Sequence, residues 1–242
     1  MVEYPKILGV YSLQVHTEVG AGATKDRRDG ISYWYVRQLT PERFEVQPLN
    51  THHVPSGLRT ELGALDFLRQ YTPEPRYYRL HTVPALESLA RKIAMGEAAF
   101  ALGDLDEAER QFLKALMISE RDVKANYGLG EVYSEKKEYA KLKGVLDRLL
   151  GIPEAFTLEH RQTFNRFGIS LRKNGHWEES IRYYRKSLEL NANDEHLHFN
   201  LARVYYDQGR MDLCVASLRS ALAINPDFAE ARRFLEFCGQ EA

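Results

Sequence analysis

Chemistry announces itself in a sequence as residue types at workable spacings, and here most of the tempting groups fail that requirement. GAGATK (residues 20–25) is loosely arranged like a phosphate-cradling loop. Such a loop needs a glycine directly before its lysine and a helix after it, so that backbone N–H groups and the helix N-terminus hold the phosphates. Lys25 instead follows Thr24, and the next patterned stretch, ISYWYV, reads as a strand. No nucleotide site is expected. His52 and His53, with His16, have the right atoms for a metal. Adjacent histidines point apart on an extended chain, and no matching Cys or carboxylate cluster follows. A loop-exposed pair is expected and a metal site is not. The chain has no G-x-S-x-G elbow, no H-E-x-x-H and no Cys–His pair at usable spacing. Glu107, Glu109, Arg110 and Lys114 have the spacing of solvated helix charges. No catalytic residues, no enzyme and no cofactor are expected. Cys214 and Cys238 are too few for a disulfide framework, and Cys214 reads as a small core hydrophobe.

The elements that would position any site are clearest in residues 195–228. Leu197, Leu201, Val204 and Tyr205 recur at helical spacing. Gly209 breaks the pattern, and Leu213, Val215, Leu218 and Leu222 resume it until Asn225 and Pro226 end it. One such helix pair cannot bury its own apolar stripe, which demands copies. The copies exist. A small residue in mid first helix falls at Gly96, Gly130, Gly168 and Ala202, separated by 34, 38 and 34 residues.

The period and the side chains together resemble the tetratricopeptide repeat (TPR) family, whose unit is ~34 residues. Its Leu-Gly/Ala-x2-Tyr core stands in LGEVY (residues 129–133) and LARVY (201–205), and its Ala-x3-Phe-x2-Ala element in Ala108, Phe112 and Ala115. Departures are equally visible. Lys92, Asn126, Phe164 and His198 occupy the tryptophan position, Leu142 a small-residue position and Lys137 a turn-glycine position. The resemblance implies a mainly α fold, a right-handed α-α superhelix of four helix pairs near residues 89–122, 123–156, 161–194 and 195–228. A capping helix follows at 227–239, and the whole array occupies 82–242. The four additional residues before the third pair are expected to lengthen its first helix.

Ahead of the array, residues 7–19 alternate as a half-buried strand, 31–36 read as a second and 44–49 as a third, with Pro48 marking an edge. A small antiparallel β-meander within 1–58 is expected. It is joined to the array by residues 59–81, a short helix over 60–71 capped by Thr60 and then an extended connector. Thr82 is expected to cap the next helix. The net charge of −1 with 28% charged residues gives no basic patch for nucleic acid. The start of the sequence has no long apolar run, so neither a signal peptide nor membrane insertion is expected and the cytoplasm is the expected compartment.

In the family, first helices line a concave groove. By resemblance the residues facing it are Tyr127 and Glu131; Asn165, Arg166, Ile169 and Arg172; Phe199, Asn200, Arg203 and Tyr206; and Phe234 and Phe237 at the same positions of a would-be fifth repeat. With Lys173, the arginines concentrate positive charge in the C-terminal half. Asn165 and Asn200 offer a donor and an acceptor each, and Tyr127, Phe199 and Tyr206 offer flat apolar surface. The complement is a carboxylate-bearing peptide. The opposing reading is that the arginines pair with Glu131, Glu135 and Asp207 and merely solubilise the face. Ile93 and Glu97 stand where the branch that grips chaperone tails has Lys and Asn, so that ligand is not expected. The expected role is therefore a non-enzymatic adaptor binding a protein or peptide. The alternative is a self-assembling, homodimeric protein joined by its β unit or last helix. A peptide-sensing regulator or a secretion chaperone is a minor reading.

Overall fold

The structure is a computed structural model, and it describes residues 4–19, 26–157 and 160–239. The phosphate-loop residues 20–25 and the His16 side chain lie outside what is described. The chain divides into two compact units, residues 1–94 with 117–120, and residues 95–116 with 121–242.

The first unit is built on an antiparallel sheet. Strands β1 (Lys6–Val19), β2 (Asp26–Thr40), β3 (Arg43–Pro48), β4 (Thr60–Gly63) and β5 (Tyr71–Pro73) are ordered β4-β3-β2-β1-β5. Helix α1 (Ala64–Gln70) contributes Phe67, which stacks on Phe44 at 4.3 Å and, with Val36 and Val46, forms the core. Gly9 has φ +100°, and a Cβ there would lie 3.2 Å from the Tyr78 ring, so both backbone and space require glycine.

Five strands stand where the alternation marks three, and the reasons are tertiary. β2 starts at Asp26 because its polar first half pairs with β1 without needing an apolar face. Residues 60–63 form a strand, not the first turn of a helix, because Thr60 pairs with Val46 and Gly63 with Arg43. β3 is internal, and it tolerates Pro48 because β4 pairs only with Arg43–Val46. Thr82 is not an N-cap. Pro75 opens a helical turn, α2 (Pro75–Tyr77), which runs through a wide π turn (Tyr78–Thr82) into α3 (Val83–Ala101). Thr82 is consequently buried in a continuous helix. His52 is exposed as expected, but His53 is half-buried at φ +63°, with Nδ1 2.7 Å from the Tyr77 hydroxyl.

The second unit is a stack of antiparallel helices. The end of α3 pairs with α4 (Leu105–Ile118), then α5 (Val123–Glu135) with α6 (Tyr139–Leu150). α7 (Arg161–Lys173) pairs with α8 (Trp177–Leu190) and α9 (Glu195–Asp207) with α10 (Met211–Ile224), and α11 (Ala229–Phe237) closes the series. The small residues of the period are where ring meets backbone. A Cβ on Gly130 would lie 2.6 Å from the Phe167 ring, and one on Gly168 2.4 Å from the Tyr184 hydroxyl. Lys137, at the glycine position of a turn, adopts φ +58°. The four additional residues do not lengthen α7, which has 13 residues like α5 and α9. They form a 3-10 turn (Pro153–Phe156) that plugs Ala155 and Phe156 into the stack.

Candidate functional site

The structure sorts the expected groove residues into several kinds.

Tyr127 does not line a groove. It is fully buried, its ring 5.5 Å from Phe167, and its hydroxyl donates to the Ala155 carbonyl at 2.8 Å while accepting from Tyr183 at 2.6 Å. The 3-10 turn supplies that acceptor, and the spacing of first-helix residues gave no sign of it. Glu131 is likewise buried, at 5% side-chain exposure, and is held in a bidentate grip by Arg166 at 2.6 and 3.0 Å. Burial raises the Glu131 carboxyl above its ordinary range, and the Arg166 guanidinium opposes that shift. Arg172 pairs with Asp207. Two of the expected free cations are therefore already matched by carboxylates, as the opposing reading holds. Lys173 is exposed, and Ile169 and Asn200 are half-buried.

Asn165 belongs elsewhere. It lines a small cleft with Phe156, Asn191, Asp194 and Leu197, to which none of Arg166, Asn200 or Arg203 contributes. Its Oδ1 is buried there without a hydrogen-bond partner among the described residues.

Arg203 is different. Its guanidinium lies 6.0 Å from the Phe199 ring centre and makes no ion pair among the described residues. Burial first, and the neighbouring Arg172 second, hold it below the usual arginine range, with Tyr184 and Asp207 opposing in part, so it is a partly desolvated cation beside another cation. Tyr184, buried beneath it, is raised by burial and partly lowered by the same two arginines, a neighbour that the groove positions do not include. Around Arg203 the rings run in series. Phe199 is 6.1 Å from Phe234, Tyr206 is 5.3 Å from Phe234 and 5.9 Å from Phe237, and Phe237 is 71% exposed. The expected groove thus narrows to Arg203, Phe199, Tyr206, Phe234 and Phe237 as one cluster, flanked by Asn200 and the Arg172–Asp207 pair.

Among the described residues there is no group of three or more His, Cys, Asp or Glu that could hold a metal ion. No described helix is long and apolar enough to cross a membrane.

Stacked antiparallel helix pairs with a small residue at each helix crossing define an α-helical repeat protein. Sequence profiles described as tetratricopeptide repeats match residues 93–141 and 195–228, and one described as TPR repeat matches 168–209. Those stretches of the chain are tetratricopeptide repeats. The chain is 25% identical over 148 residues to the anaphase-promoting complex subunit CDC16 of Saccharomyces cerevisiae, a stretch that is 60% of this chain and 18% of that protein. Among solved structures, it is similar to MamA from Desulfovibrio magneticus RS-1, at 15% identity and a TM-score of 0.45, covering 63% of this chain and 84% of that one. It is also similar to a chain of the APC/C hetero-tetramer Cut9–Hcn1, at 20% identity and a TM-score of 0.44, covering 62% of this chain and 29% of that one.

Proposed function

We propose that the chain is a protein-interaction scaffold that holds a carboxylate-bearing protein segment against α9 and α11, with Arg203 as the anchor. One observation carries this reading. Arg203 is a partly buried guanidinium that makes no ion pair of its own among the described residues, Asp207 being engaged by Arg172, and it is set among Phe199, Tyr206 and Phe234. A desolvated cation whose nearby carboxylate, Asp207, is already paired with Arg172 is costly, and a ligand carboxylate in bidentate contact would offset that cost. The rings beside it supply apolar surface for the residues flanking the acid. Arg166 supports the site indirectly, because its charge is engaged by Glu131.

Selection of a random displayed peptide library on the purified chain tests the proposal. Enrichment of Asp or Glu next to apolar residues is expected, with binding that weakens as salt rises and falls at least tenfold in Arg203→Gln. Enrichment of basic peptides, or equal binding by the variant, would overturn it.

The exposed ring of Phe237 favours a second reading, self-association through α11. Sedimentation of Phe237→Ser against the unmodified chain separates the two, because only self-association changes the sedimenting mass.

A further inference from the structure

Cys214 and Cys238 are the two cysteines of the sequence. Cys214 is fully buried in the first turn of α10, and Cys238 is half-buried where α11 ends. α10 packs on α11, and the loop joining them runs from Asn225 to Phe228. Cys214 stands eleven residues before Asn225, and Cys238 ten after Phe228. At equal rise per residue, two antiparallel helices bring these positions to one level. The electrostatics agree, since Cys238 is close enough to help raise the Cys214 thiol.

We propose that Cys214 and Cys238 form a reversible disulfide that staples the closing helix α11 to α10. The two thiols divide the chemistry by exposure. Burial pushes the Cys214 thiol up to about 12, so it carries little thiolate near neutrality. Cys238 is the one a reagent reaches. As thiolate it attacks a small-molecule disulfide of the glutathione type, forming a mixed disulfide and releasing one thiolate. Cys214 then loses its proton and attacks the Cys238 sulfur, expelling the second small thiolate. In sum, two protein thiols become one disulfide, and the small disulfide is reduced to two thiols.

The bond would matter because of what α11 is. It is a nine-residue helix, too short to hold its form unless packed. It carries Phe234 and Phe237, and it is held by burial of Ala231 and Leu235. Closing the loop between residues 214 and 238 removes unfolded-state freedom and opposes detachment of this helix.

The full-length chain, reduced and then exposed to glutathione disulfide, tests the proposal. Both thiols should disappear together on titration in denaturant, and the monomer should lose the mass of two hydrogens. A digest should contain the linked 214–238 peptides. The α11 amides should exchange roughly tenfold or more slowly than in the reduced chain. Cys214→Ala should trap the mixed disulfide on Cys238, whereas Cys238→Ala, a change at a half-exposed site, should leave Cys214 unmodified. Persistence of both thiols, a stable glutathione adduct on the unmodified chain, or cross-linked dimers would each overturn the proposal.

Discussion

Replacing Arg166 by Gln isolates one buried carboxylate. Glu131 has a side chain 5% exposed and accepts two hydrogen bonds from Arg166, whose own side chain is 63% exposed. Removing one partner of a fully buried pair costs about 3–5 kcal/mol. Because the guanidinium side is wet, water can replace part of it, which reduces the expected loss to about 2–3 kcal/mol. For a chain of this size that lowers Tm by roughly 4–12 °C. The pH dependence follows from the sign of the Glu131 shift. Its folded pKa is raised, so the folded state binds the proton more tightly than the unfolded chain. Its contribution to stability is greatest below the ordinary carboxylate range and declines as pH rises through the folded value. Without Arg166 the shift is larger, so the variant's deficit should be small near about pH 4 and full near about pH 8. Differential scanning calorimetry of both chains across that range measures it, and Arg166→Gln with Glu131→Gln should recover most of the loss. A deficit independent of pH, or a double variant as unstable as the single, would refute the electrostatic account.

Other outcomes are equally definite. Lys137→Gly should raise stability by about 0.5–1 kcal/mol, measured by urea titration, because Lys137 sits at φ +58°. Ala108→Arg should cost several kcal/mol, roughly 3–5, since Ala108 is fully buried between paired helices, and a melt equal to that of the unmodified chain would contradict the packing. Tyr127→Phe should cost about 1–3 kcal/mol in the same titration, because it strands the Ala155 carbonyl and leaves the Tyr183 hydroxyl only its long contact to the Phe164 carbonyl. Arg203→Gln should leave Tm unchanged or slightly higher, because it relieves a cation that faces Arg172 without a partner.

The helices of the array were legible in the sequence because their apolar stripes repeat with the period of the fold. Gly130 and Gly168 stand out as crossing points from the period alone, since only a small residue fits where a ring from the neighbouring helix meets the backbone. The closing helix was legible too, as the stripe Phe228, Ala231 and Leu235 that the structure buries. The β unit was half legible. An alternating strand is visible where one face meets a core, but the polar start of β2 and the four residues of β4 become strands only through the partner each finds across the sheet. The site was legible as positions and not as chemistry. Spacing places Tyr127, Glu131, Arg166, Arg172 and Arg203 on first helices alike. Whether a cation is free depends on which carboxylate packs beside it, and whether a ring is a surface or a core depends on the turn inserted before α7. Those are distances between residues far apart in the chain. The residue types fixed which side chains could meet, and only the packing of one helix on the next decided that Arg166 and Arg172 are matched by carboxylates while Arg203 makes no ion pair of its own among the described residues.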